Sequence, residues 1–418
     1  MQPADFLIEH ADLIATCAGP APRRGAAQRG IGTIRDGAVA AHAGRIVFAG
    51  PSAEMAGQVD VRPDAVRLDA RGCTVVPGFV DPHTHLVYAG DRRDELRQRL
   101  AGATYAAIAA AGGGILRTVE ATRTASEDDL VRLARPRLDD MAASGTTTCE
   151  VKSGYGLTVE AEVRQLRAIR RLDREHEVDV VPTFLGAHEI PAEYRSRPDD
   201  YVALVIEKMI PAVAEASLAE WCDVFCERGA FTPRQSAAIL RAGARAGLKP
   251  RIHADELSSS GGAGVAAEVG ARSADHLIFV DEAGADGLAA AGVCAVLLPI
   301  AALCLKLGRY APARMLIDRG VPVALGTDVN PGAGLSASMP CAMTLGCFAM
   351  DMTLEETLVA ATLNAAWSLD RADTAGSLEP GKLMDAVVVD GDLTNLIRVG
   401  PSPIRAVIKR GRLVGGRR

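Results

Sequence analysis

Eight short apolar segments, separated by long amphipathic ones, leave few folds open to the region 77–375 of this 418-residue chain. The segments are 75–80, 146–151, 178–184, 221–225, 249–253, 273–277, 293–298 and 321–326. Such alternation reads as repeated βα units, with helices predicted over 159–176, 233–246 and 354–369. Eight units fit a closed barrel better than an open sheet. The predicted class is α/β, a TIM-like (β/α)8 barrel.

The flanks read differently. Up to Val76, strand-like runs such as Phe6-Leu7-Ile8 and Arg45-Ile46-Val47-Phe48 are broken by Gly-rich turns. Ala386-Val387-Val388-Val389 and Ala406-Val407-Ile408 look alike. Pairing the two ends predicts a small β-sandwich domain from 1–76 and 376–418, with the barrel domain spanning 77–375. The stretch 20–32, rich in Pro, Gly, Ala and Arg, is expected to be a mobile loop.

Barrel enzymes place their chemistry at the C-terminal ends of strands, and that is where the informative histidines fall. Pro77-Gly78-Phe79-Val80-Asp81-Pro82-His83-Thr84-His85 closes the first segment. Side chains at i and i+2 of a strand share a face, so His83 and His85 converge and Thr84 turns away. His253, His276 and Asp328 follow or end three later segments. Three imidazoles (His83, His85, His253) and the Asp328 carboxylate make the donor set of a mononuclear hydrolytic metal centre. A lone His-X-His carries little. Gly-Phe-Val-Asp before it and a late Gly-Thr-Asp make the pattern specific. His276 reads either as a residue holding the reacting water or as a hydrogen-bonded buried histidine. Glu256, three residues past His253, is expected above the metal as a proton donor. Lys152 is expected to balance charge, the alternative being a modified lysine bridging two metals. Arg92 or Arg93, just behind the first segment, can grip a carboxylate through paired hydrogen bonds.

Several function classes fall away. Gly112-Gly113-Gly114 lacks the spacing and terminal lysine of a phosphate loop. A net charge of −6, from 46 basic and 52 acidic residues without long blocks, argues against nucleic-acid or membrane partners. Nine scattered cysteines read as free thiols. Asp5, Glu9 and Asp12 argue against a signal peptide, and no apolar run reaches a membrane span. The expectation is a cytoplasmic enzyme acting on a small molecule, with a homodimer as the commonest closed assembly.

These residues resemble the amidohydrolase superfamily, and most closely its branch that opens a cyclic amide in histidine degradation. The likeness runs from about residue 70 to the C-terminus. Beyond the metal motifs it includes Gly90-Asp91-Arg92, Lys152-Ser153-Gly154-Tyr155-Gly156-Leu157, Gly186-Ala187-His188-Glu189 and Gly326-Thr327-Asp328-Val329-Asn330-Pro331-Gly332. The resemblance implies one metal ion per chain, zinc or iron, on His83, His85, His253 and Asp328. It implies a substrate held by Arg92 (not Arg93), Tyr155, His188 and Glu256, with Asn330 and Gly332 near the product. That substrate is 4-imidazolone-5-propanoate, a carboxylate-bearing cyclic amide opened to N-formimidoyl-L-glutamate. The catalytic roles implied are Asp328 as proton acceptor, His276 as holder of the water and Glu256 as donor to the leaving nitrogen. Two departures stand out: Ala333 where the family usually has Ser or Thr, and Ile300 where Gly commonly follows the proline. They leave room for a related cyclic amide. A purine- or pyrimidine-type deaminase would share the metal without needing Arg92. A non-catalytic scaffold on this barrel is expected to have lost ligands.

Overall fold

The computed structural model describes residues 1–103 and 113–416. Gly112 of the triple glycine and the Arg417-Arg418 tail lie outside the described residues. Eight parallel strands follow one another in chain order: Phe79–Asp81, Thr146–Lys152, Asp179–Ala187, Trp221–Cys226, Lys249–Ala254, Ser273–His276, Cys294–Leu297 and Val323–Leu325. Seven of these eight, buried at every position but at most one, contain few residues that could face water, as a sheet covered by helices on its outer surface requires. The seam between the first and last strand closes just beyond their ends. There the His85 N–H donates to the Val329 carbonyl at 2.9 Å and the Asp328 N–H to the His83 carbonyl at 3.0 Å.

The outer helices carry their own start signals. Val159–Glu175 is capped by the Thr158 hydroxyl, which accepts from the Ala161 N–H at 3.2 Å. Pro233–Arg245 opens with a reciprocal Thr232/Gln235 capping box and a proline in its first turn. The helix expected over 354–369 divides into Leu354–Ala361 and Leu363–Ser368. At the break, the Thr362 hydroxyl donates back to the Leu358 carbonyl at 2.6 Å, a bond that bends helices.

The segment 75–80 serves two sheets. Phe79–Asp81 opens the barrel, whereas Cys73–Pro77 leaves it and pairs antiparallel with Ala386–Asp390. Gly78 lies between them, where a Cβ would fall 2.4 Å from Thr147 Oγ1, so only glycine passes. The second sheet joins both ends of the chain in eight strands. Its long strand Gln2–Ala15 pairs with Val59–Asp69 along its first half and with Cys73–Pro77 near its end. The two lobes so formed enclose Phe6, Ile8, Val39, Val75, Val388 and Ile408. A second apolar cluster, with Leu7, Ala40 and Phe48, lies on the opposite face.

The stretch 20–32, expected to be mobile, is pinned to the barrel. Buried Gln28 exchanges hydrogen bonds with Val323, donating to its carbonyl at 3.1 Å and accepting from its N–H at 3.3 Å. Arg23 does the same with the Asn364 amide, at 2.8 and 2.9 Å. Side-chain amides with both donor and acceptor match backbone groups left unpaired at the start of the last strand. None of the described helices is long and apolar enough to cross a membrane. All nine cysteines are free.

Candidate active site and metal centre

The four expected metal ligands meet at the C-terminal mouth of the barrel. His83 Nε2 lies 3.2 Å from His85 Nε2, which lies 3.3 Å from His253 Nε2. Asp328 Oδ1 stands 3.7 Å from His83 Nε2 and 3.5 Å from His85 Nε2. The first ring is oriented from behind: His83 Nδ1–H donates to Asp275 Oδ2 at 2.6 Å. His253 Nδ1–H donates likewise to Asp223 Oδ1 at 3.1 Å. A neutral imidazole protonated at Nδ1 offers a lone pair at Nε2. Burial and then the Lys152 charge hold His83 well below the usual imidazole range; burial and then His188 do so for His85. Asp328 Oδ1 is buried without a hydrogen-bond partner. Lone pairs and a carboxylate oxygen focused on one point repel one another unless a cation lies between them. These residues fit a metal ion.

Two more histidines stand close: ligand atoms of His276 lie within 4.8 Å of those of His83 and His253, and ligand atoms of His188 within 4.8 Å of those of His85 and His253. His188 stacks on His85, with ring centroids 4.9 Å apart and an interplanar angle of 19°. Its Nδ1 donates to the Gly154 carbonyl at 3.0 Å, and burial, then His253, drives it down to about 3. It is neutral at any working pH. His276 Nδ1 faces Glu256 Oε1 at 3.6 Å and has no hydrogen bond. His276 and Asp328 both adopt positive φ, 74° and 51°, a region that non-glycine residues occupy infrequently.

Beneath the imidazoles lies an ionic layer that sequence reasoning only partly reached. Lys152 Nζ sits 2.7 Å from Glu150 and 2.8 Å from Asp223, and Arg251 Nη2 lies 3.4 Å from Asp275. All five side chains are fully buried. Burial pulls the lysine down, but Asp223 and Glu150 outweigh it and hold its pKa above the usual value. Lys152 is thus a counter-ion of two carboxylates. Three carboxylates against two cations leave this layer net negative, which favours a cation above it. Asp223, Asp275 and Arg251 were not singled out beforehand. The signal for Asp223 is a charged residue in the middle of an otherwise apolar strand, and Arg251 and Asp275 lie within two residues of His253 and His276.

Above the ligands opens a cavity of about 210 Å³, lined by Arg92, Tyr155, His188, Glu256, His276, Asn330, Gly332 and Ala333 among others. Arg92 is buried, and its Nε and Nη2 both lie 2.7 Å from Glu95 Oε2, whose other oxygen accepts from the Gly114 N–H at 2.9 Å. Arg93, the competing arginine, is exposed and does not line the cavity. Tyr155 rides on a turn nailed down by buried Glu162, which accepts from the N–H groups of Gly154, Gly156 and Leu157 at 3.0, 2.7 and 2.8 Å. Glu256 is raised well above its usual value by burial first and the Asp328 charge second, which favours its protonated form.

The loop after the last strand is folded around Asn330. Its Oδ1 accepts from the Gly332 and Ala333 N–H groups, both at 2.7 Å, and its Nδ2 donates to the Asp328 carbonyl at 2.8 Å. The Asn330 amide thus ties the loop together, and Asn330 lines the cavity. Gly332 leaves room for Arg92, since a Cβ there would fall 2.3 Å from Arg92 Nη1. Gly334 is tighter still: a Cβ would lie 1.5 Å from the Asp328 carbonyl oxygen. Gly334→Ala is expected to displace Asp328 and lower kcat about 10²-fold, the usual cost of misplacing a reacting group by ~1 Å. Steady-state kinetics checks this. Ala333 reaches the cavity, whereas Ile300 is buried outside it.

A parallel eight-stranded barrel with a histidine–aspartate metal centre at its mouth defines a class of hydrolases. The sequence profile of the amidohydrolase family matches residues 74–414, and the chain belongs to that family. It is similar over nearly its whole length to imidazolonepropionases. That of Symbiobacterium thermophilum is 49% identical over 417 residues, covering 99% of this chain and 98% of its own. That of Alkaliphilus metalliredigens is 47% identical over 413 residues, 98% of each chain. Among solved structures, a zinc-bound adenosine deaminase from Xanthomonas campestris has a TM-score of 0.68 at 20% identity, covering 99% of this chain and 94% of that one. The zinc complex of atrazine chlorohydrolase from Arthrobacter aurescens has a TM-score of 0.72 at 17% identity, covering 98% and 95%. These two share the fold. The protein is a metal-dependent hydrolase.

Proposed function

We infer that the protein hydrolyses the ring amide of 4-imidazolone-5-propanoate to N-formimidoyl-L-glutamate, a step of histidine degradation, with one zinc or iron ion per chain. The observation that carries this reading is a cavity with the metal donor set at its floor and a buried arginine in its wall. When bound, the ion lowers the pKa of a water and polarises a carbonyl oxygen. The protein's own groups do the rest. Arg92, braced by Glu95, pairs with the propanoate carboxylate, while Tyr155 and His188 hold the ring. Asp328 takes a proton from the attacking water, which His276 orients. Glu256 delivers a proton to the ring nitrogen as the C–N bond breaks. The nitrogen leaves as part of a formamidine, and the ring carbonyl carbon becomes the new carboxylate. Identity near 48% to full-length imidazolonepropionases supports the substrate over other cyclic amides.

The test is turnover of freshly made 4-imidazolone-5-propanoate, followed by loss of ring absorbance and appearance of N-formimidoyl-L-glutamate. In Arg92→Ala, kcat/KM is expected to fall about 10²-fold, chiefly through KM, as loss of a buried charge-assisted pair costs. Metal content should be unchanged. A metal-loaded protein that leaves this substrate intact would refute the assignment.

A further inference from the structure

We propose that Glu227 is a positioning residue that aims Glu256 by clamping the loop after the fifth barrel strand to the loop after the fourth. The inference rests on the functional reading above, in which Glu256 is the proton donor.

Glu256 needs such help. Its carboxyl lines the cavity, and among the described residues it meets only His276 Nδ1, at 3.6 Å. Among the described residues no hydrogen bond fixes the side chain, so its direction is set by the backbone that carries it. On one side that backbone is held internally. Asp255, at φ 51°, accepts from the N–H groups of Ser260, Gly261 and Ala263 at 2.7, 2.9 and 2.9 Å. On the other side the hold comes from a different strand. Glu227 is 4% exposed and follows Trp221–Cys226 directly. Its Oε2 accepts from the Leu257 N–H at 2.8 Å and the Ser258 N–H at 3.2 Å. Its Oε1 accepts from the Arg228 N–H at 2.8 Å and from the Ser258 hydroxyl.

One carboxylate thus takes four donors from two loops, and two of the donors are the next backbone amides after Glu256. A carboxylate can accept on both oxygens at once, about four sites in all. A glutamine would keep one acceptor and turn an NH2 against the remaining donors. The burial of Glu227 with no ion pair to an arginine or lysine among the described residues is explained by this role, because those donors stabilise its carboxylate.

The experiment is a double-mutant cycle with Glu227→Gln and Glu256→Gln, assayed on 4-imidazolone-5-propanoate. Glu227→Gln alone is expected to lower kcat about 10- to 100-fold with KM within about threefold, part of what losing a general acid costs. In the Glu256→Gln background the same change should cost less than about threefold more, because the clamp acts through Glu256. Fully multiplicative losses, or a loss carried by KM alone, would overturn the proposal. Backbone hydrogen exchange over 256–260 supplies a readout independent of substrate and is expected to quicken in Glu227→Gln. Unchanged exchange would overturn the clamp even if the wild type proved to act on another substrate. Ser258→Ala, which removes one donor and leaves the carboxylate, should show a smaller shift in both readouts.

Discussion

Asp328→Asn is expected to lower kcat by about 10²–10⁴-fold, the range that a positioned proton acceptor contributes. The substitution preserves shape. Asn can still sit at φ 51° and keep its N–H on the His83 carbonyl. What it lacks is a charge and a second acceptor oxygen. In the native site, burial pushes the Asp328 carboxyl up to about 7, and its Oδ1 has no hydrogen-bond partner. A cation bound beside it favours the ionised form, whose lone pairs can receive a proton during turnover. Metal content by plasma emission and kcat measured on the same preparation separate the two losses. Near-normal turnover with metal bound would remove Asp328 from the proton path and leave the bound water to another base.

Lys152→Met should be the most damaging single change to stability. Lys152, Glu150 and Asp223 are wholly excluded from water. A methionine fills much of the volume but strands two carboxylates in the barrel. Breaking a buried pair from one side costs about 3–5 kcal/mol, to be read as a shift of the urea midpoint. The same variant should bind metal about 10- to 100-fold more weakly, because Asp223 orients the His253 ring. A midpoint within about 0.5 kcal/mol of wild type would mean that the layer relaxes or takes in water.

The barrel was legible because its signal is repetitive: eight apolar segments, each ending near a polar residue. The metal ligands were legible for the same reason, since His83, His85, His253 and Asp328 all fall at those ends. Two boundaries were not. The segment 75–80 looks continuous, yet Gly78 sends its halves into different sheets because Thr147 lies against it. The stretch 20–32 has a loop-like composition, and nothing local reveals that Gln28 meets Val323, 295 residues away. The supports of the site were hidden by the same distance. Glu95, Glu162, Asp223 and Glu227 look like ordinary charged residues until folding surrounds them with donors. Asn330 was legible as a member of the site, and its amide also ties together the loop after the last strand.

The seam of the barrel ties the catalytic centre to the order in which the polypeptide is made. His83 and Asp328 are separated by most of the coding length, yet they hydrogen-bond across the join between first and last strands. A nascent chain emerging from the ribosome carries two of the imidazoles early and waits for the aspartate. The strand Cys73–Pro77 waits longer still, for Ala386–Asp390. Contacts of such high sequence separation form slowly and late. Ion capture therefore belongs to the finished polypeptide, and a fragment ending before Asp328 holds histidines without a completed cage.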